Sequence, residues 1–158
     1  MKKISSYALK SPKGFTLIEL LVVIGILAVL LAITLIAINP AKQFAQANNT
    51  KRRSDVNAIL NAINQYMADN KGSIPPTNIT TTEQEISNTG ADICGVLVPA
   101  YIAALPVDPQ TNNGNPISQS GCSGTYNTNY HVVQSGTSSR ITVSAPGAEL
   151  GDTIQVTR

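Results

Sequence analysis

The sequence predicts an α+β fold in which a long N-terminal helix precedes a small antiparallel sheet. Three observations support this prediction. Residues 15–38 form one continuous apolar run (FTLIELLVVIGILAVLLAITLIAI), whose polar side chains are two threonines and one glutamate. Apolar side chains then recur at helical spacing between residues 56 and 67. Three short segments near the C-terminus have the composition and alternation of strands.

The apolar run is long enough to cross a membrane. At about 1.5 Å per residue, a helix over residues 15–38 spans about 36 Å, which exceeds a hydrocarbon core of about 30 Å. Basic residues and no acid precede the run, so the positive-inside rule predicts a cytoplasmic N-terminus and an exported C-terminal part. The basic residues are Lys2, Lys3, Lys10 and Lys13.

An ordinary secretory signal peptide is the rival interpretation of the N-terminus, because it also has a basic region before an apolar one. The run is too long for a signal core and contains Glu19. It also ends at Asn39-Pro40 without a clear small-x-small cleavage site. These features favour a membrane-spanning helix.

The helix is expected to resume after Pro40 and to stop at Lys71-Gly72, where a cation and a glycine cap follow one another. We therefore predict one helix over about residues 15–71, with a kink or a local loosening at Pro40. Its first half is apolar all round and its second half is amphipathic, so the second half needs a partner surface. The apolar positions of that half are Val56, Ile59, Leu60, Ile63, Tyr66 and Met67.

The C-terminal part is predicted to be a small globular domain. Pro- and Thr-rich residues 73–88 indicate a loop, and residues 95–105 a short helix that Pro106 ends. Strands are predicted at residues 126–133, 140–145 and 153–157, with a hairpin turn at Ser135-Gly136. In the first strand Tyr126, Thr128, Tyr130 and Val132 share a face. The predicted segments are thus 1–14, 15–38, 39–72 and 73–158.

Composition limits the partners and indicates one covalent link. The chain is 42% hydrophobic but only 4% aromatic, so the C-terminal core is small. After residue 14 there are seven basic and nine acidic residues, and no nucleic-acid partner is predicted. Cys94 and Cys122 are expected to form a disulfide in an exported domain that needs a covalent tie. Two free buried thiols in a cytosolic protein are the alternative.

The junction KGFTLIEL, residues 13–20, resembles the class III signal of type IV pilins and type II secretion pseudopilins. The resemblance implies that a membrane prepilin peptidase cuts between Gly14 and Phe15, and that the new amine of Phe15 is then methylated. It places Glu19 at the glutamate found five positions into the mature chain. It also implies a pilin-like fold, with the long helix packed on the antiparallel sheet.

Glu19 is the candidate assembly residue. A carboxylate inside a membrane helix costs several kcal/mol unless it is neutralised or paired. No cation follows it within the apolar run, so the nearest candidate partner is the Phe15 amine that cleavage creates. The resemblance implies that Glu19 of an incoming subunit meets the Phe15 amine of a subunit already in the filament. A protonated glutamate without a role is the alternative.

Other chemistry is sparse. His131 has no second histidine or acidic cluster beside it in the sequence, so no catalytic site, metal or cofactor is predicted. Residues 100–108 resemble a stretch of major pseudopilins near which some bind calcium, but few acids follow here. Lys51-Arg52-Arg53 is interpreted as a solvated face or as a site for acids of a neighbouring subunit. The dispersed acids, interpreted as solvated loop charges, are Asp92, Asp108, Glu149 and Asp152.

The function implied is that of a structural subunit, not an enzyme, in a type IV pilus-like fimbrium. Its partners would be further copies in a helical filament, the prepilin peptidase/methyltransferase, an inner-membrane assembly platform, and membrane lipid before assembly. The location would be a single-pass inner (cytoplasmic) membrane precursor and then an extracellular or periplasmic filament. A major pseudopilin of a secretion or competence system is the alternative. A membrane-anchored enzyme or binding module would need a catalytic cluster in residues 73–158, and none is found there.

Overall fold

The computed structural model describes residues 14–75 and 79–158. The lysines of the predicted leader lie outside the described residues, as does all of that leader except Gly14. The chain divides into two compact units, one that ends at Pro40 and one that runs from Ala41 to Arg158. The fold is α+β, with a long apolar N-terminal helix, a second helix and a four-stranded antiparallel sheet.

The first helix, α1, spans Leu17–Ile38 and ends at Asn39. Asn39 has φ 46° and ψ 76°, in the left-handed region that asparagine tolerates better than most residues. A residue before proline is disfavoured in the α conformation, whereas proline itself fits the first position of a helix. The second helix, α2, accordingly begins at Pro40. The predicted interruption of the long helix near Pro40 is therefore confirmed, and it takes the form of one non-helical residue, Asn39, between two helices.

Helix α2 spans Pro40–Asp69 and stops close to the predicted position. Lys71 and Gly72 both have positive φ, 57° and 83°, so the chain has left the helix before Lys71. The Gly72 amide donates to the Met67 carbonyl at 2.7 Å, which satisfies one of the carbonyls at the helix end. The predicted end at residue 71 is two residues too late.

The sheet has the strand order β1-β2-β3-β4, and all neighbouring strands are antiparallel. The four strands are Gln84–Ser87, Asn127–Gln134, Ile141–Ser144 and Gln155–Thr157. The last three confirm the predicted strands. Strand β1 corrects the prediction of a loop over residues 73–88. This short polar segment has no strand pattern of its own and forms a strand because it pairs with the edge of β2.

Between β1 and β2 the chain forms short helical turns. Helix α3 spans only Cys94–Leu97, so the predicted helix over residues 95–105 is mostly wrong. Val98 is already extended, as expected for a residue that precedes a proline. Two 3-10 turns follow at Asn112–Gly114 and Gln119–Ser123.

The core of the second unit lies between α2 and the sheet. Helix α2 contributes its predicted apolar face, of which Val56, Ile59, Leu60 and Ile63 are fully buried. The predicted inward face of β2 is confirmed, because all four of its side chains are buried. These are Tyr126, Thr128, Tyr130 and Val132.

Candidate functional site

The predicted processing junction lies just outside α1. Gly14, Phe15 and Thr16 are not helical, and α1 begins at Leu17. Thr16 is extended, with φ −82° and ψ 152°. Gly14 is exposed and the Phe15 side chain is 90% exposed. The backbone around the Gly14–Phe15 bond is therefore free of helical hydrogen bonds.

Thr16 and Glu19 form a capping box that fixes the start of α1. The Glu19 amide donates to the Thr16 hydroxyl oxygen at 3.3 Å. In return, Glu19 Oε2 accepts from the Thr16 amide at 2.8 Å and from the Thr16 hydroxyl at 2.7 Å. Such reciprocal bonds satisfy two amides that the first turn of a helix leaves unpaired. A carboxylate here also suits the positive end of the helix dipole.

Thr16 is absent from the sequence-predicted site, although the pattern Thr-x-x-Glu is a recognised signal for a helix start. The prediction for Glu19 considered only charged partners. The structure gives this carboxylate an uncharged partner within its own chain, and both bonds fall on Oε2.

Helix α1 presents apolar surface in every direction. All of its side chains are exposed, and mean hydropathy reaches 3.2 over an 18-residue stretch of this 22-residue helix. Among the described residues it is the one helix long and apolar enough to cross a membrane. Without lipid or other protein around it, this surface would face water at a large free-energy cost.

Residues 9–35 match the family model of the prokaryotic N-terminal methylation motif. The chain carries this methylation motif. It is the class III signal of type IV pilins and pseudopilins, so the sequence resemblance is confirmed for this segment. The match includes the junction, the capping box and most of α1. The comparisons with curated proteins and with solved structures find no match.

A second group of polar side chains, here called the Arg52 cluster, joins α2 to two later loops. Its centre is Arg52, which is fully buried. Arg52 donates from Nε to Asp108 Oδ2 at 2.6 Å and from Nη2 to Asp108 Oδ1 at 3.1 Å. Its Nη1 donates to Glu149 Oε2 at 2.8 Å and to Asn49 Oδ1 at 3.1 Å. Both interpretations of the Lys51-Arg52-Arg53 run are corrected for Arg52, because its acidic partners, the buried Asp108 and the partly exposed Glu149, belong to the same chain.

The neighbouring charges also have partners within the chain. Arg53 pairs with Asp152 at 2.6 Å and Lys51 with Asp55 at 2.8 Å. Asp92 accepts a 2.6 Å hydrogen bond from the Tyr126 hydroxyl. The interpretation of the four dispersed acids as solvated loop charges is therefore wrong for Asp108, which is fully buried, whereas Asp152 remains exposed although it is paired. Their partners are distant in sequence, and sequence spacing alone does not reveal them.

Within this cluster the pKa values of Arg52 and Glu149 are shifted. The hydrogen bonds and charge of Asp108, together with Glu149, raise the pKa of Arg52 above its ordinary value despite desolvation. The hydrogen bond from Arg52, followed by that from Asn48, lowers the pKa of Glu149. A Cβ atom on Gly147 would lie 3.0 Å from Asp108 Oδ2, so glycine permits the close approach of this loop.

Cys94 and Cys122 form a disulfide, which confirms that prediction. It ties α3 to the turn Gln119–Ser123 across 28 residues of sequence. The Tyr126 hydroxyl lies beside this link and accepts from the Cys94 amide at 3.4 Å. Burial and the hydrogen bond to Asp92 raise the pKa of Tyr126.

His131 lies on β2 with its Nδ1 3.6 Å from Glu83 Oε1. Glu83 accepts a 2.7 Å hydrogen bond from the Ser144 hydroxyl, so this serine is directed at the carboxylate and not at the imidazole. Within residues 14–75 and 79–158 there is no group of three side chains of the types that hold a metal ion.

Proposed function

We propose that this chain is a structural subunit of a type IV pilus-like filament, made as a membrane precursor and cleaved between Gly14 and Phe15. The observation that carries the proposal is the methylation motif, whose junction lies exposed next to a capped apolar helix. The motif also favours a structural subunit over an enzyme.

The local geometry suits cleavage by a prepilin peptidase. A peptidase must approach the backbone of its substrate closely, and the capping box stops the helix short of the Gly14–Phe15 bond. Glycine leaves that backbone open on one side. Once the bond is cut, the new α-amine of Phe15 becomes the group that the same enzyme system methylates.

The proposed assembly step pairs Glu19 of one subunit with the Phe15 amine of another. Both Thr16 bonds fall on Oε2, so Oε1 can accept from an ammonium without release of the cap. An amine inside an apolar bundle needs such a counter-charge. The pairing would set the axial register while α1 helices bury one another. An inner-membrane platform would take the subunit from lipid into the filament.

The same features support a topology with a cytoplasmic leader and an exported second unit. The lysines before Gly14 favour the cytoplasmic side. The disulfide of the second unit suits an oxidising compartment outside the cytoplasm. The finished filament would lie outside the cell or, for a pseudopilus, in the periplasm.

Gly14→Val tests the cleavage site. A Cβ at Gly14 meets no atom of the chain within 4 Å, so the substitution spares the fold and acts on the approach of the peptidase. We expect the full precursor to accumulate in the membrane, with Gly14→Ala as a milder control. Mass spectrometry of the N-terminus measures processing and methylation. Normal cleavage of the valine variant would refute the site.

Electron microscopy of sheared cell-surface material tests the filament. The proposal expects fibres that contain this chain with a methylated Phe15 at its N-terminus. Fibres confined to the periplasm would favour the pseudopilin alternative. A processed chain that forms no fibre in either location would refute the structural role.

A further inference from the structure

The two cysteines of the disulfide lie in different surroundings. Cys94 is fully buried in the hydrophobic core, and its neighbours Ile93 and Leu97 are inaccessible as well. Cys122 is only partly buried and lies in the turn Gln119–Ser123. The Cys122 end of the link therefore reaches the surface of the second unit, whereas the Cys94 end does not.

The chain around Cys122 does little to shield its sulfur. No residue from 118 to 125 is buried, and this segment is here called the exposed turn. Gly121 and Ser123 flank Cys122. Neither has a side chain large enough to cover a neighbouring sulfur atom, so a solvent thiol can approach from this side.

The exposed turn is held to the core at both of its ends. Before it, Ile117 exchanges two backbone hydrogen bonds of 2.8 Å with Leu105. After it, Tyr126 is buried, and its amide donates to Asn88 Oδ1 at 3.1 Å. These anchors do not depend on the disulfide, so the link can open at Cys122 while the core stays folded.

The surroundings of Cys94 oppose attack by a thiolate. The Cys94 amide donates to the Tyr126 hydroxyl, which in turn donates to Asp92 Oδ1 at 2.6 Å. An attacking thiolate would have to enter the apolar core beside a carboxylate, at a large cost in desolvation. Around Cys122 the sequence has no lysine, arginine, aspartate or glutamate from residue 109 to residue 139, so charge there does not repel a thiolate.

We propose that thiols open the disulfide of the folded chain by attack on Cys122, which makes Cys122 the site at which an external thiol becomes attached. Access and the choice of attacked sulfur both govern the rate of such an exchange. The inference concerns the second unit alone and does not depend on the proposed filament function.

The exchange balances as two displacements at sulfur. The attacking thiolate forms a bond to Cys122 Sγ as the bond to Cys94 Sγ breaks. The electron pair leaves with Cys94 Sγ, which takes a proton from water. A second thiolate then attacks the sulfur of the first thiol, and Cys122 leaves as a thiolate. Two thiols are thereby oxidised to one disulfide while the link in the chain is reduced.

Reduced glutathione tests the inference on the unsubstituted chain in detergent micelles. The reaction is quenched with acid at early times, and free thiols are then trapped with N-ethylmaleimide. Peptide mass spectrometry measures which cysteine carries glutathione and which carries maleimide. The same chain unfolded in guanidinium chloride is the matched control, because unfolding exposes Cys94 and leaves the sequence around both cysteines unchanged.

In the folded chain we expect the glutathione adduct on Cys122 to exceed that on Cys94 by about tenfold or more, since access selects the attacked sulfur. In the unfolded chain the two adducts should be comparable. Equal adducts in the folded chain, an excess on Cys94, or no adduct without unfolding would overturn the inference. A bias toward Cys122 that persists unchanged in guanidinium chloride would also overturn it, because local sequence and not burial would then select the sulfur.

Discussion

At the scale of single residues, the buried ion pair of Arg52 and Asp108 connects helix α2 to a later loop of the second unit. A buried ion pair need not stabilise a fold more than apolar residues would, but removal of one partner leaves an uncompensated charge. Arg52 is inaccessible, and Asp108 is almost so, at 1% side-chain exposure. Their value therefore lies in joining α2 to loops that are 56 and 97 residues away.

Arg52→Met is expected to lower the free energy of unfolding by about 3–5 kcal/mol, because it strands the Asp108 carboxylate in the core. Arg53→Met is the matched control, since the pair of Arg53 and Asp152 is about half exposed and worth about 0–1 kcal/mol. Denaturant unfolding of the full chain in detergent micelles measures both. Equal losses in the two variants would contradict the assignment of Arg52 as the central cation.

Glu149 predicts a pH dependence of stability. Its pKa in the folded chain is below the ordinary value of 4.5, so its contribution is complete above that pH and is lost as the pH falls through the folded value. We expect the wild type to exceed Glu149→Gln in melting temperature at pH 7 and the gap to shrink below pH 4.5. A gap that stays constant from pH 7 to pH 3 would contradict this sign.

At the scale of elements, the sequence predicts those parts that depend on local pattern. The apolar run of α1, the buried stripe of α2 and the alternation of β2 each carry enough periodicity to be recognised. Strand β1 does not, because Gln84–Ser87 is short and polar and pairs only through the edge of β2. The partners of Arg52 escape prediction for a related reason, since only the tertiary fold brings distant loops to α2.

The disulfide links helix α3 to the turn Gln119–Ser123, and its contribution to stability can be tested directly. Double replacement, Cys94→Ser with Cys122→Ser, is expected to lower the free energy of unfolding by about 3–4 kcal/mol, because the open loop gains conformational entropy when unfolded. In the unsubstituted chain, maleimide labelling without reductant should fail. Full labelling of both thiols in the folded protein would show that the link does not form in the cell.

At the scale of the whole molecule, the two compact units contribute different features. The first unit supplies a capped, uniformly apolar helix and the proposed cleavage junction. The second unit supplies a disulfide-linked domain with a buried ion pair between Arg52 and Asp108. A helix exposed over its whole length in one subunit implies that the stable state of this chain is in lipid or in an assembly.

Two substitutions at Glu19 distinguish the role of its capping hydrogen bonds from the role of its negative charge. Glu19→Leu removes both, whereas Glu19→Gln keeps an oxygen that can accept from the Thr16 amide, as glutamine does in capping boxes. Both variants should insert into the membrane, since each removes a charge from the apolar segment. Both should also be cleaved, because the Gly14–Phe15 bond is unchanged.

If Glu19 neutralises the Phe15 amine of a neighbour, both variants should lose filaments almost completely. The stranded amine would cost about 3–5 kcal/mol at every contact, and the retained cap of Glu19→Gln would not help. The measurements are membrane level, N-terminal processing and sheared filaments, each scored separately. Normal filaments from Glu19→Gln, with none from Glu19→Leu, would show that the capping box matters and the charge pair does not. Loss of membrane insertion in either variant would place the defect before assembly.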